Sequence, residues 1–246
     1  MATIHEEWMC ACLEGLAVDP PSLQRCAALH WRDIGMSDTL DRYRGDLNGF
    51  LDFLRREWGW IVTVSDDGAV ITADENAPDC VCPLAARLTP PTPALCDCSR
   101  HFDKMMFTYV TGTPVRARVL SSIIRGGKTC VYEITLLQRL IGKTVTVTVD
   151  RPIGSRHPKH PDILYPLNYG YISGIPAADG DDQDAYILGV GEPVDTFTGK
   201  IIAVIHRCDD VEDKWVVAPD GTSYTKDEIT RAVSFQEQYF KSEIIM

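Results

Sequence analysis

Four aspartates stand within residues 179 to 184, DGDDQD. Asp179, Asp181 and Asp184 are spaced i, i+2 and i+5, and Gly180 allows a tight bend between the first two. Carboxylates crowded into one loop repel one another unless a cation compensates, and hard divalent ions such as Mg²⁺ bind through oxygen ligands. The segment therefore indicates either a cation site or a solvated acidic turn.

The spacing resembles the start of an EF-hand loop but does not continue as one. Counted from Asp179, the sixth position is Asp184, where an EF-hand requires glycine. The twelfth position is Val190, where an EF-hand requires a bidentate glutamate. These two departures exclude an EF-hand calcium site.

Three further segments accompany the acidic loop in the second half of the chain. YPLNYGYISG begins at Tyr165, DDVEDKWVVAP begins at Asp209, and FQEQYF begins at Phe235. In this order the segments resemble the soluble, magnesium-dependent inorganic pyrophosphatases that fold as a barrel. That family carries a YPxNYG segment, then D-G-D-P-x-D, then an acidic cluster that leads into a lysine. The resemblance covers residues 141 to 246 and none of the first half.

The resemblance implies an enzyme that hydrolyses inorganic pyrophosphate to two phosphates with several Mg²⁺ ions. Asp181 would help to deprotonate a metal-bound water, and Lys214 and Tyr169 would bind phosphate oxygens. Asp150 stands where the family has a glutamate ahead of a proline. The further substrate contacts implied are Arg156, Tyr165 and Tyr239. The metal ligands implied are Asp179, Asp184, Asp209 and Asp210, with Glu212 and Asp213 as alternatives for the last position.

The chemistry agrees with these roles, because an acidic site binds a polyanionic substrate only through bridging cations. The sequence also departs from the family pattern. Asp182 and Gln183 replace the usual proline and aliphatic residue, residues 152 to 165 are fewer than in the family, and Lys241 stands one place late. A second hypothesis is therefore a barrel with weak or no catalysis that binds a phosphate ligand and acts as a regulatory module.

The composition limits the partners. With 246 residues and a formal net charge of -11, the chain lacks the basic clusters that nucleic acids and anionic membranes require. A barrel that binds single-stranded nucleic acid is a third hypothesis, which the charge opposes. No apolar run reaches the roughly 20 residues of a membrane span, and MATIHEEWMC does not resemble a secretory signal. We therefore expect a cytoplasmic protein that acts on a small molecule, with homo-oligomerisation left open.

Cysteine and acidic residues are distributed unevenly, which predicts two domains. Eight of the nine cysteines precede residue 131, whereas acidic clustering peaks after residue 178. We place a cysteine-rich α+β domain at residues 1 to 138 and a small antiparallel OB-like β-barrel with a C-terminal helix at residues 141 to 246. In the first domain we predict a helix from Ser37 to Trp58 and hairpins around SDDG and RGG. In the second we predict short strands and a helix capped by Thr225 and Glu228.

The first domain has two features that could bind a ligand. Four of its cysteines form C-x-C pairs and indicate either a zinc site or plain structural thiols: Cys80, Cys82, Cys96 and Cys98. Trp31, Trp58 and Trp60 indicate either a cavity lining or a core. The segment from CDCS to CVYEI resembles small-ligand-binding domains of the vinyl-reductase-like and aminothiazoline-carboxylate-hydrolase-like kind. That resemblance implies a ligand-sensing or assembly role and assigns no residue.

Overall fold

The computed structural model describes residues 20 to 87 and 91 to 246. The chain divides into two compact units between Leu136 and Leu137. Short 3₁₀ turns connect several of the elements, at Asp41–Tyr43, Ala85–Arg87, Ile123–Arg125 and Leu137–Leu140.

The first unit combines helices with a four-stranded antiparallel sheet. Its α-helices are α1 (Pro20–Asp33), α2 (Met36–Leu40), α3 (Leu47–Glu57) and α4 (Ala94–Thr111). Its strands are β1 (Ile61–Val64), β2 (Val70–Asp74), β3 (Val115–Ser121) and β4 (Val131–Leu136). The order across the sheet is β1-β2-β4-β3, so both predicted hairpins are present as neighbouring antiparallel pairs.

The prediction of a single helix from Ser37 to Trp58 is wrong, because helical structure is interrupted after Tyr43. Gly45 adopts a φ of 76°, a left-handed conformation that ends helical structure. Asp46 then caps α3, with its carboxylate accepting a hydrogen bond from the backbone N–H of Gly49 at 2.9 Å. Ser37 caps no helix, since its hydroxyl accepts a hydrogen bond from Trp31 Nε1 at 2.9 Å.

Helix α4 is not among the predicted elements. It is 18 residues long and begins directly after Pro93. One face of α4 buries Leu95, Met106 and Phe107 in the unit's core, together with two of the cysteines. Throughout the described part of the chain, no helix is both long enough and apolar enough to cross a membrane.

The second unit is a closed β-barrel with one helix. Its strands are β5 (Thr144–Arg151), β6 (Asn168–Pro176), β7 (Asp182–Ile187), β8 (Thr196–Arg207), β9 (Lys214–Ala218) and β10 (Ser242–Ile245). Strands β8-β5-β6-β7-β9 form a ring that a pairing between β9 and β8 closes, and β10 adds to the outer side of β8. The barrel prediction is therefore confirmed in outline. The expectation of a purely antiparallel barrel is wrong, because β7 and β9 pair in parallel.

The predicted C-terminal helix is present as α5 (Lys226–Glu237). Its capping box is complete, since Thr225 accepts from the backbone of Glu228 while the Glu228 carboxylate accepts from the backbone of Thr225. The buried residues Ile229 and Val233 pack with barrel residues such as Tyr186. The helix thus covers the barrel face on which alternate residues of β7 and β9 lie.

Candidate functional site

The parallel pairing of β7 with β9 brings an acidic and a basic side chain together. Ala185 lies opposite Trp215 in this pair, so the preceding residues Asp184 and Lys214 stand side by side on the same face. Lys214 Nζ donates to Asp184 Oδ2 at 2.5 Å, and it also donates to Glu212 Oε2. The Lys214 side chain is 4% exposed, whereas Asp184 and Glu212 are 29% and 28% exposed. A buried ammonium therefore lies between two carboxylates that reach solvent.

The acidic loop adds a third carboxylate to this group. Gly180 adopts a φ of 97°, and the Asp181 backbone N–H donates to Asp179 Oδ1 at 3.0 Å. This bend places the Asp179 carboxyl close enough to Glu212 to influence its ionisation. Burial, followed by the neighbouring Asp179 carboxyl, raises the pKa of Glu212 above its usual range. Such crowding of carboxyls is what an added cation would relieve.

Two tyrosines and an arginine border the carboxylates. Tyr169, on β6, lies near Asp184, and burial together with the charge of this carboxylate raises the pKa of Tyr169 well above its usual range. The Tyr165 ring packs 5.5 Å from that of Tyr169, and its buried hydroxyl has no hydrogen-bond partner among the described residues. The Arg151 guanidinium lies 5.1 Å from the Tyr169 ring centroid and 3.3 Å from Asp150. Arg151 was not predicted from the sequence, although it directly follows Asp150, which was singled out there.

Three of the predicted metal ligands have other partners. The Asp213 carboxylate is buried against His206 Nδ1 at 2.5 Å, inside the unit. Asp210 accepts from Arg207 at 2.9 Å, and Asp209 accepts from the backbone N–H of Lys241 at 2.9 Å. These contacts turn Asp213 inward and give Asp209 and Asp210 local structural roles. Of the two alternatives for the last ligand position, the geometry brings only Glu212 to the group.

Three other predicted site residues make no hydrogen bond or ion pair with the Lys214 ammonium among the described residues. Arg156 is exposed, and its guanidinium donates to the backbone carbonyl of Pro161 at 2.7 Å within its own loop. Tyr239 is 66% exposed. Asp181 is exposed at the loop tip and meets the group only through its backbone N–H, which donates to Asp179.

A second charged network, near the end of α5, was not foreseen. Arg207 is 3% exposed and contacts Glu237 at 2.6 Å. The Tyr186 hydroxyl donates to the same Glu237 carboxylate at 2.6 Å. The sequence signal was weak: an arginine closing the apolar run KIIAVIHR and a glutamate within FQEQYF. Since both charges are buried and matched, this network joins β7, β8 and α5.

The donor set suits a hard divalent cation. Asp179, Asp184 and Glu212 offer only oxygen atoms, the donors that Mg²⁺ prefers, and two of these carboxylates contact the Lys214 ammonium. Within the described ranges, no group of three or more His, Cys, Asp or Glu side chains is arranged to hold a metal ion. The donor atoms are therefore compatible with a hard cation, but their arrangement in this structure, with Lys214 holding two of the carboxylates, is not that of a metal site.

The four-thiolate zinc site is not formed. Cys98 Sγ lies 3.0 Å from Cys26 Sγ, and Cys96 Sγ lies 3.2 Å from the Ser122 hydroxyl. Burial raises the pKa of Cys82 to about 11 and that of Cys80 above its usual value, so both thiols hold their protons at neutral pH. In this structure all four cysteines are free thiols.

The chain resembles known proteins only at the level of structure. No protein-family profile matches it, and no curated protein matches it in sequence. Among solved structures it is similar to the inorganic pyrophosphatase of Neisseria gonorrhoeae, with 21% identity over 40% of this chain and 74% of that chain, at a TM-score of 0.31. The pyrophosphatase of Ehrlichia chaffeensis gives 17% identity over 42% and 85% of the chains, at a TM-score of 0.33. The inorganic pyrophosphatase of Thermus thermophilus has 15% identity over 42% of this chain and 81% of that chain, at a TM-score of 0.31.

Proposed function

We propose that the second unit hydrolyses inorganic pyrophosphate to two phosphates in a Mg²⁺-dependent reaction. The observation that carries the proposal is the position of the Lys214 ammonium between the Asp184 and Glu212 carboxylates. Those residues come from two separate segments of the sequence, the acidic loop and DDVEDK, which stand in pyrophosphatase order. The first unit plays no part in this proposal.

Each residue of the group has a role that follows from its chemistry. Asp184 and Glu212, with Asp179 beside Glu212, would hold Mg²⁺ through oxygen. When bound, the ions neutralise phosphoanhydride oxygens and lower the pKa of a water ligand. Lys214 and Arg151 are the cations available to phosphate oxygens, and they stabilise charge that builds up on the leaving phosphate.

Tyrosine hydroxyls complete the proposed substrate site. The hydroxyl of Tyr165 is buried without a partner among the described residues, close enough to Asp150 and Asp184 for their charges to raise its pKa. Burial is the larger cause of that rise. A phenol whose pKa is raised stays protonated at neutral pH, so Tyr165 and Tyr169 can each donate to a phosphate oxygen. Asp181, at the exposed loop tip, stays our candidate for accepting the proton of the attacking water.

A second candidate function is binding without turnover. The specific observation in its favour is the placement of Arg156 and Tyr239, two expected substrate contacts that face solvent or their own loop. Loss of single transition-state contacts costs roughly 10²–10³ in rate. A barrel that lacks two of them could hold a phosphate ligand and still turn it over slowly or not at all.

The test is phosphate release from pyrophosphate by the full chain, with Mg²⁺ and with chelator. We expect release only with Mg²⁺, and an Asp184→Asn variant should lose at least about 10²-fold in kcat. The matched control is Asp220→Asn, an exposed turn aspartate of the same unit, which should behave as wild type.

Calorimetry separates the two candidate functions. Mg²⁺-dependent pyrophosphate binding without phosphate release would favour the binding module. If the chain neither binds nor hydrolyses pyrophosphate, both candidates are wrong. Substitution of nucleoside triphosphates for pyrophosphate in the same assay tests the substrate class.

A further inference from the structure

The first unit contains a cavity of about 500 Å³, within the size range of small-molecule sites. Aromatic side chains line part of it, including Trp58, Trp60 and Phe102. Ile34 and Val81 also line the cavity and are 47% and 58% exposed, so the cavity opens to solvent beside them. Its walls are thus largely apolar, and a small molecule can enter.

One wall of the cavity carries a buried carboxyl group whose hydrogen bonding is incomplete. Asp103, on α4, lines the cavity and is 3% exposed. Its Oδ2 atom has no hydrogen-bond partner among the residues that the structure describes. Burying a carboxyl oxygen without a partner is costly, and native proteins rarely leave one so. A donor on a molecule bound in the cavity would satisfy this atom.

The charged residues that line the cavity indicate which kind of ligand group could donate a hydrogen bond to Asp103. Glu75 lines the cavity near Asp103, and Asp33 lies at its mouth. The described lining residues include no lysine or arginine, and His30 is the one basic side chain among them. Burial raises the pKa of Glu75 to about 7 and that of Asp103 well above its usual range, which favours the protonated acids in the empty cavity. A cation bound beside the two carboxyl groups would favour their ionised forms and pair with them.

We propose that this cavity binds a small molecule that joins an aromatic or aliphatic body to a basic nitrogen. The nitrogen, as an ammonium or amidinium group, donates to Asp103 Oδ2 and faces Glu75, while the body packs on the aromatic walls. A neutral or anionic molecule of the same shape lacks the charge that complements the two carboxyls. The proposal concerns the first unit alone and is independent of pyrophosphate hydrolysis.

The experiment is calorimetric titration of the full chain, under reducing conditions, with three compounds that share one ring system. These are 2-(1-naphthyl)ethylamine, the neutral 2-(1-naphthyl)ethanol and the anionic 1-naphthylacetate. We expect the amine to bind at least tenfold more tightly than the alcohol, and the acid to bind most weakly. Equal affinity of amine and alcohol, or no binding of the amine at millimolar concentration, overturns the proposal.

Two variants locate the binding. Asp103→Asn keeps the size of the side chain and removes its charge, and it should weaken amine binding by about 10- to 100-fold while leaving the alcohol little changed. Glu75→Gln should also weaken amine binding, and it provides the test if Asp103→Asn does not fold. The matched control, Asp66→Asn, lies in the exposed β1–β2 turn and should bind as wild type. Unchanged amine affinity in the folded variants at Asp103 and Glu75 contradicts the proposal, whatever the phosphate-release assay shows.

Discussion

Lys214 Nζ lies 2.5 Å from Asp184 Oδ2, and this contact joins the only parallel strand pair within the described barrel. Parallel strands begin at the same end of a sheet, so residues near the start of each strand become neighbours. An antiparallel pairing of β7 and β9 would set the two side chains at opposite ends. The parallel direction of β7 and β9 therefore allows Asp184 to contact Lys214.

Removing the Lys214 ammonium should lower catalysis more than substrate affinity. We expect Lys214→Met to reduce kcat for Mg²⁺-dependent phosphate release by about 10²–10³-fold, because it removes a charge that stabilises the leaving phosphate. Steady-state kinetics with pyrophosphate as substrate measures this. The control is Lys226→Met, an exposed lysine at the start of α5. A Lys214→Met enzyme with wild-type kcat would remove Lys214 from the mechanism.

Asp213 should behave as a structural residue and Asp184 as a site residue. Asp213→Asn disturbs a buried contact with His206 and should lower the free energy of unfolding by roughly 1–3 kcal/mol. Urea unfolding measures that loss, and the Mg²⁺ concentration for half-maximal phosphate release should stay as in wild type. An Asp213→Asn protein of normal stability whose Mg²⁺ requirement rises would instead make Asp213 a ligand.

The Arg207–Glu237 pair should show strong coupling. Either Arg207→Met or Glu237→Leu leaves a buried charge unpaired and should cost about 3–5 kcal/mol of unfolding free energy. The double variant should recover most of that loss, because no uncompensated charge remains. A double-mutant cycle in urea measures the coupling energy, and the exposed pair Arg44 and Asp41 provides the comparison, with a much smaller coupling energy expected. Additive losses in the Arg207 cycle would contradict this prediction.

Glu75 should make the first unit less stable as the pH rises. Burial raises its pKa from 4.5 to about 7, so the folded protein holds the proton more tightly than the unfolded chain. The resulting stabilisation is complete below pH 4.5 and is lost as the pH rises through 7. Between pH 5 and pH 8, wild type should lose about 2 kcal/mol of unfolding free energy relative to Glu75→Gln.

Thermal and urea unfolding across that pH range measures the difference. Other ionisable groups near Glu75 remain in both proteins, namely Asp74, Asp103, Cys130, Cys80 and Tyr132. The control Glu57→Gln, at the exposed end of α3, should show the wild-type pH dependence. A pH dependence that is the same in wild type and Glu75→Gln would mean that Glu75 is ionised in the folded protein.

Local patterns predicted the local structure well where one interaction decides it. The Thr225–Glu228 capping box is such a case, since both partners lie within one helical turn. The same reasoning failed between Ser37 and Trp58, because apolar spacing continues across Gly45 while the backbone does not. The spacing of apolar residues indicates which side chains are buried. It does not reveal a single residue with a left-handed backbone conformation.

By itself, the sequence determined the acidic character of the chain, the strand-rich second half and the order of the three segments that point to phosphate chemistry. Tertiary structure alone decided which acids share a site. Asp213 and Glu212 are adjacent in the chain just before β9, yet the Asp213 side chain points inward to His206 and the Glu212 side chain contacts Lys214. Equally, only the packing of α4 leaves Asp103 unpaired at a cavity wall. The residue types and their spacing show which chemistry is possible. Which of these residues meet depends on strand polarity, side-chain direction and burial, and these arise from contacts between segments that are distant in the sequence.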